Sequence, residues 1–210
     1  MQQIALFGTS ADPPTIGHQA IMEWLVGLYD QVAVWAADNP FKTHRSELVD
    51  RQRMLALLVQ DIQQRYPQVR VQEELSHTRT LMTIQQAQKL WPQTDLTLVM
   101  GSDVVPTLSH WYGVEILFQQ VQFLILPRPD VPLNPSVLAD LQALGAKLAI
   151  ANFQGPPVSS SHYRHTGDSE DVPACIAAYI QRHHLYSWNP PTCKTDIPPQ
   201  LLLLTTPPPP

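Results

Sequence analysis

The chain has 210 residues, of which 44% are hydrophobic and 15% are charged, a composition typical of one soluble globular domain with a sizeable core. Its net charge of −5 excludes a generally basic surface, so nucleic acid and anionic membranes are not predicted partners and any phosphate site must be local. Two cysteines without zinc-ligand spacing, and the lack of a signal-peptide or membrane-spanning pattern, favour a location in the reducing cytoplasm.

Short apolar runs alternate along the chain with segments of helical periodicity. The apolar runs predict strands over 4–8, 31–37, 69–72, 95–101, 121–127 and 146–151. The helical spacing predicts helices over 16–28, 54–62, 80–91, 135–144 and 172–185. This alternation predicts an α/β fold of the Rossmann-like, doubly wound type, a parallel sheet with helices on both faces. Ligands bind such sheets beyond the carboxyl ends of the strands, so one rim is expected to hold the loops 9–15, 38–46 and 101–112.

The end of the chain differs in composition from the rest. Residues 189–210 hold eight of the 21 prolines and end in TTPPPP. Proline at this density disfavours both helix and sheet, and little else in the segment can form a core. The sequence therefore predicts a domain over residues 1–188, followed by a Pro-rich, disordered tail over 189–210.

The first strand leads into a loop and helix start that suit phosphate. The segment reads GTSADPPTIGH (8–18), in which Gly8 and Gly17 keep side-chain bulk away from the backbone. The free N–H groups and the dipole of a helix start attract an anion, and His18 in the first turn is able to donate to phosphate oxygen. The segment is neither GxGxxG nor a P-loop. By itself, Thr15 is equally well explained as an N-cap.

Two further segments contain cationic or hydroxyl side chains that suit phosphate. The loop DNPFKTHR (38–45) places Lys42 and His44 beyond the second strand, although an exposed basic loop is the plain alternative. In VSSSHYR (158–164), a serine run precedes Arg164, whose guanidinium fork matches phosphate oxygens. The alternative there is an N-cap serine followed by a surface arginine.

One segment carries the features expected around a ribose and a planar ring. GSD (101–103) follows a buried strand, where Asp103 suits a hydrogen bond to a ribose hydroxyl. In HWY (110–112), Trp111 presents the largest aromatic face for an electron-poor ring, although tryptophan is also a common core residue.

These stretches occur together in an order known from one enzyme family. They are GTSADPPTIGH (8–18), DNPFKTH (38–44), DRQRMLAL (50–57), GSDVVPTLSHWYGVEIL (101–117), LPRP (126–129) and VSSSHYR (158–164). Over roughly residues 3–188, the chain resembles the bacterial nicotinate mononucleotide adenylyltransferases of the T/HxGH nucleotidylyltransferase superfamily. The resemblance implies transfer of AMP from ATP to nicotinate mononucleotide by direct attack, giving pyrophosphate and deamido-NAD. It also implies Mg²⁺ as the partner of ATP, held by phosphates and water because no carboxylate cluster is present.

The resemblance assigns roles to individual positions, and Thr15 departs from the histidine usual in the close family. The positions with an implied catalytic role are His18, Arg164 and Thr15. The positions with an implied role in ATP binding are Gly8, Thr9, Ser10, Gly17, His18, Lys42, Gly101, Asp103, Ser160, Ser161 and Arg164. The positions with an implied role in mononucleotide binding are Lys42, His44, Thr83, Trp111 and Tyr112.

Two other functions are left open by the sequence. The Thr-x-Gly-His tetrad is also found in phosphopantetheine adenylyltransferases, although the length of the chain and its later motifs disfavour them. The missing histidine and the proline tail also fit a catalytically weak relative that binds nucleotide. The sequence leaves open whether the chain forms a homo-oligomer and how strictly it prefers nicotinate over nicotinamide.

Overall fold

The computed structural model describes residues 2–39, 42–128 and 130–186. Its strands form one fully parallel sheet in the order β3-β2-β1-β4-β5-β6. The strands are β1 (Gln3–Thr9), β2 (Gln31–Ala36), β3 (Val69–Val71), β4 (Asp95–Gly101), β5 (Gln122–Leu126) and β6 (Leu148–Ile150). The strand order reverses direction between β1 and β4, which is where ligands bind in sheets of this kind.

Seven α-helices connect or follow these strands within the described residues. They are α1 (Ile16–Val26), α2 (Leu48–Gln63), α3 (Thr80–Leu90), α4 (Val114–Gln120), α5 (Pro135–Ala143), α6 (Ser160–Thr166) and α7 (Ala174–His183). Short 3-10 helices lie at Glu73–Leu75, Val105–His110 and Ser169–Asp171. None of the α-helices in the described part of the chain is both long enough and apolar enough to cross a membrane.

The sheet is covered on both faces because successive side chains of a strand point to opposite sides. In β1, Ala5 and Phe7 contribute to a core shared with α1, α2, α6 and α7. Ile4 and Leu6 contribute to a second core shared with α3, α4 and α5. The predicted doubly wound fold is therefore confirmed.

Helix α1 illustrates how this packing stabilises an element that carries the candidate site. Met22 and Leu25 lie three residues apart, so both project toward the sheet, and both are fully buried. Burying a side chain of this size contributes about 1.5–3 kcal/mol. The second half of α1 is thus packed against the sheet.

Several observed elements differ from the predicted ones. Helix α2 begins at Leu48, before the periodic segment that predicted it, and α4 was not predicted. The predicted final helix is shorter, and runs from Ala174 to His183. The predicted Pro-rich tail lies outside the described residues, so its boundary and its disorder remain predictions.

Candidate active site

The loops that follow β1 and β2 lie side by side at the carboxyl edge of the sheet. Arg51 on α2 connects them, since its guanidinium donates to the carbonyl oxygens of Ser10 (2.9 Å) and Ala37 (2.8 Å). Arg51 is 2% exposed, so these carbonyls replace the water that its charge would otherwise bind. Thr9 stabilises the first loop locally, where its hydroxyl accepts from the N–H of Ala11 at 3.3 Å. The two loops therefore share a rim, as predicted.

His18 is held at the start of α1 by the residue that precedes the helix. Thr15 occupies the N-cap position with an extended backbone. Its N–H donates to Nδ1 of His18 at 3.1 Å, and its Oγ1 lies 2.8 Å from the same nitrogen. This arrangement is a capping box in which a histidine takes the place of the usual glutamate or glutamine. Thr15 is 1% exposed, so it is better placed to act as an N-cap that holds His18 than to donate directly to phosphate.

The contact with Thr15 determines which nitrogen of His18 carries the proton. A backbone N–H is always a donor, so Nδ1 must accept and the neutral ring carries its hydrogen on Nε2. Burial lowers the pKa of His18 to about 4, and the positive charge of Arg128 adds to this effect. His18 is therefore neutral near pH 7, with Nε2–H as its hydrogen-bond donor.

The start of α6 packs against the loop after β1. The hydroxyl of Ser160 donates to the carbonyl oxygen of Pro13 at 2.8 Å, and the guanidinium of Arg164 donates to the carbonyl oxygen of Asp12. Arg164 also donates to the hydroxyl of Ser161 at 3.0 Å. The structure thus brings Ser160 and Arg164 to the loop that leads to His18, with Ser161 bound to Arg164.

The basic loop after β2 is joined to the same place through Asp12. This carboxylate is 2% exposed and accepts from the N–H of Arg45 at 2.8 Å and from the hydroxyl of Ser46 at 2.7 Å. Nδ1 of His44 lies 3.7 Å from Asp12, and burial lowers the pKa of His44. Lys42 is exposed. The loop is therefore bound to Asp12 at Arg45 and Ser46, whereas the side chain of Lys42 is exposed.

At the end of β4, Asp103 is paired with an arginine. Oδ1 of Asp103 lies 3.1 Å from Nε of Arg128, whose side chain is 57% exposed. A Cβ at Gly101 would overlap the Asp103 carboxylate and lie 3.0 Å from Nε of Arg128. The positive charge of Arg128 also lowers the pKa of His18 at the start of α1.

The glycines of the first motif lie in close packing, which is tighter at Gly8 than at Gly17. A Cβ on Gly8 would come 2.5 Å from the indole of Trp35, its cross-strand neighbour in β2. A Cβ on Gly17 would come 3.2 Å from Val158 and 3.3 Å from the hydroxyl of Thr15. Both glycines therefore serve close packing, independently of the predicted approach of phosphate.

Thr83 lies in the core rather than at the rim. It is 2% exposed, and its hydroxyl donates to the carbonyl oxygen of Leu75 at 2.9 Å. The proton of this hydroxyl is thus already committed within the protein. A contact from Thr83 to a mononucleotide stays a prediction, and it would have to come from the main chain or from the accepting side of the hydroxyl.

The aromatic pair after β4 is partly accessible. Trp111 is half-buried against the second core and its indole N–H donates to the hydroxyl of Thr107 at 3.2 Å. Tyr112 is 59% exposed, with the guanidinium of Arg79 lying 4.2 Å from its ring centroid. These contacts of the two rings do not include the polar residues around His18. Their predicted role in binding a planar ring stays a prediction.

Comparison with known proteins decides the family. A model of the family described as cytidylyltransferase-like matches residues 6–166. The chain is 46% identical over 198 residues to the probable nicotinate-nucleotide adenylyltransferase of Synechocystis sp., covering 88% of this chain and 98% of that relative. This chain belongs to the nicotinate-nucleotide adenylyltransferases of the cytidylyltransferase-like family. Another such relative, from Herpetosiphon aurantiacus, is 29% identical over 197 residues, covering 89% of this chain and 99% of its own.

Solved structures with the adenylyltransferase fold agree with the sheet described above. The Plasmodium falciparum nicotinic acid mononucleotide adenylyltransferase complexed with NaAD matches with a TM-score of 0.74 at 19% identity, covering 90% of this chain and 99% of that one. The same protein complexed with APC matches with a TM-score of 0.72. These likenesses support the fold, and the predicted family resemblance is confirmed by the sequence relatives.

Five residues of this site were not predicted as site residues. Three of them lie inside motifs already identified in the sequence, but the sequence does not show which contacts these residues make. The other two, on the second loop and beyond α7, lie outside every motif. The five are Asp12, Arg51, Arg128, Ser46 and Tyr186.

Proposed function

We propose that this adenylyltransferase transfers AMP from ATP to nicotinate mononucleotide by direct in-line attack. An oxygen of the mononucleotide phosphate forms a bond to the α-phosphorus of ATP. The bond from that phosphorus to the bridging oxygen of pyrophosphate breaks, and pyrophosphate leaves with the electron pair. The products are deamido-NAD and pyrophosphate, the reaction named in the 46% identical relative.

The observation that carries this proposal is the neutral His18 held by Thr15 at the start of α1. Nucleotidyl transfer needs little covalent chemistry from the protein, only in-line placement and stabilisation of developing charge. Nε2–H of His18 supplies a preset donor, and Arg164 and Lys42 supply positive charge for the phosphates. The free N–H groups of the first turn of α1 add further donors.

The acceptor is proposed to bind beside the segment after β4. Trp111 and Tyr112 provide aromatic surface for the pyridine ring, and His44 and Lys42 provide donors for its phosphate. Asp103 retains carboxylate oxygen for a ribose hydroxyl beside its contact with Arg128. ATP is proposed to lie along Gly8, Thr9 and Ser10, where β1 leads into its loop, and along Gly17 in the first turn of α1.

Magnesium is proposed to enter with ATP. Within 2–39, 42–128 and 130–186, no group of three or more His, Cys, Asp or Glu side chains is placed to hold a metal ion. We therefore expect the phosphates and water to coordinate the Mg²⁺ of the substrate. A cytoplasmic location and a homo-oligomeric state stay predictions.

A pyrophosphate-release assay with three acceptors tests the proposed reaction. ATP is supplied with nicotinate mononucleotide, nicotinamide mononucleotide or 4′-phosphopantetheine, and the products are identified by mass spectrometry. We expect turnover with nicotinate mononucleotide and one deamido-NAD for each pyrophosphate released. Preferred turnover of phosphopantetheine would assign the related activity instead, and ATP binding without turnover of any acceptor would contradict an enzymatic function.

A further inference from the structure

The carboxylate of Asp12 is buried and fully engaged by three donors. Its Oδ2 accepts from the N–H of Arg45, and its Oδ1 accepts from the hydroxyls of Ser46 and Tyr186, each at 2.7 Å. Burial by itself would raise the pKa of Asp12, but these hydrogen bonds together hold it below its ordinary value. Asp12 is therefore an ionised acceptor inside the protein, with no oxygen turned to solvent.

The residues around Asp12 link three segments that carry predicted site residues. Its carboxylate holds Arg45 and Ser46, next to His44 in the loop after β2. Its own main-chain carbonyl oxygen accepts from Arg164 on α6. Six residues further along the chain, the same loop reaches His18. A displacement of Asp12 would therefore disturb both the phosphate donors and the basic loop.

Tyr186 reaches this carboxylate from a part of the chain that the family model does not match, since that model ends at residue 166. Its hydroxyl donates to Asp12 and lies 3.1 Å from Oγ of Ser46. Its ring packs edge-on against Tyr163 of α6, with 6.2 Å between centroids. The segment after α7 thus contacts all three of these segments: the loop after β1, the loop after β2 and α6.

We propose that Tyr186 is a positioning residue of the active site, which holds Asp12 through its hydroxyl and thereby fixes Arg164 and the loop that contains His44. This inference rests on the proposed adenylyl transfer. It gives the segment after α7 a role in catalysis, although no atom of Tyr186 is required to touch a substrate. The alternative is that Tyr186 only packs against Tyr163 and contributes stability.

The chain provides a matched control on the helix that precedes this segment. Tyr179 of α7 donates from its hydroxyl to Oδ1 of Asp50 at 3.0 Å, so it also pairs with a carboxylate across helices. This bond joins α7 to α2, whereas the bond of Tyr186 joins the segment after α7 to the loop after β1. Tyr179→Phe therefore removes the same chemical group from an equivalent bond that lies outside the site.

The test compares kcat and KM of Tyr186→Phe, Tyr179→Phe and wild type at a temperature where all three are folded. Loss of a hydrogen bond to a charged group is expected to lower kcat/KM of Tyr186→Phe about tenfold, with kcat reduced and KM for the mononucleotide increased. Tyr179→Phe is expected to stay within about twofold of wild type. A purely structural role would lower the melting temperature of both variants and leave kcat and KM of the folded protein unchanged.

A second variant keeps the inference testable if Tyr186→Phe does not fold. Ser46→Ala removes the other hydroxyl bound to Oδ1 of Asp12 and is expected to lower kcat/KM about threefold. With an active wild type, unchanged kcat/KM in Tyr186→Phe, or in Ser46→Ala where Tyr186→Phe does not fold, would overturn this inference alone. An inactive wild type would refute the proposed function and, with it, the role given to Tyr186.

Discussion

The two ends of the proposed substrate site are built in different ways. At the phosphate end, Asp12 and Thr15 are buried, and the ring of His18 is fixed by a contact made within the protein. At the ring-binding end, Tyr112 is 59% exposed and Trp111 is only half-buried. In the proposed site, the donors to phosphate are therefore in place before a substrate binds, whereas the aromatic surface is completed by the substrate. Changes at the phosphate end should therefore act on kcat, and changes at the ring-binding end on KM.

The largest effect is expected from His18→Ala. Removing one preset donor to the charge that develops in the transition state should lower kcat by about 100-fold or more. Steady-state pyrophosphate release measures this, with His183→Ala on the exposed side of α7 as the matched control. A His18→Ala enzyme with nearly normal kcat would show that His18 is not a donor to the transition state. The phosphate end and the ring-binding end would then not differ in their effects on kcat.

The next effect is expected from Trp111→Ala at the ring-binding end. Loss of a stacking surface should raise KM for nicotinate mononucleotide about tenfold and leave kcat nearly unchanged. Trp91→Ala removes the same bulk from the same core and should lower the melting temperature without changing KM. If Trp111→Ala behaves like this control, Trp111 is a core residue and the site must lie elsewhere on the rim.

A smaller effect is expected from Thr15→Val, which keeps the shape of the side chain and removes its hydroxyl. His18 retains the backbone N–H of residue 15, so kcat should fall only about fivefold, with a loss of about 1 kcal/mol of stability for the weakened cap. Thr15→Ser should restore both quantities. A fall in kcat as large as that of His18→Ala would indicate that Thr15 itself contacts phosphate.

The smallest effect concerns α6 and depends on pH. The hydrogen bond and the negative charge of Asp171 raise the pKa of His162, whose Nδ1 lies 2.6 Å from that carboxylate. Because the folded state holds the proton of His162 more tightly, the stabilisation from its pairing with Asp171 is complete below about pH 6.5. It disappears as the pH rises through the raised pKa of His162. Compared with His162→Gln, the wild type should melt about 1–2 °C higher at pH 5.5 and show no such advantage at pH 9. An advantage that grows with pH would contradict this sign.

Much of the fold was predictable because buried parallel strands and amphipathic helices have different apolar periods. β4 was predicted with the bounds observed, and α1 and α3 started at the predicted residues. Helix α4 was missed because it has only seven residues and follows Gly113 in a left-handed conformation, so neither length nor cap signalled it. Helix α2 extends to Leu48 through residues whose spacing is not periodic.

The candidate site was predictable to the extent that it lies in short motifs. His18, Ser160 and Arg164 were readable from their own segments, and the structure places them around one loop. The role of the buried Asp12 carboxylate could not be predicted from its segment, because its partner Tyr186 is 174 residues away in the chain. The contact of Gly8 with the indole of Trp35 was not readable either, because it is set by strand pairing rather than by local sequence, and the role of Gly8 toward phosphate stays a prediction.

The protonation state of His18 tests most directly whether the phosphate end is preset. ¹⁵N NMR of the histidine rings in the substrate-free protein, assigned with His18→Ala, reports which nitrogen carries the proton at each pH. We predict a neutral His18 with hydrogen on Nε2 and none on Nδ1, unchanged between pH 8 and pH 5.5, since its pKa is lowered to about 4. A proton on Nδ1, or a titration near the ordinary histidine pKa of about 6.5, would contradict the account.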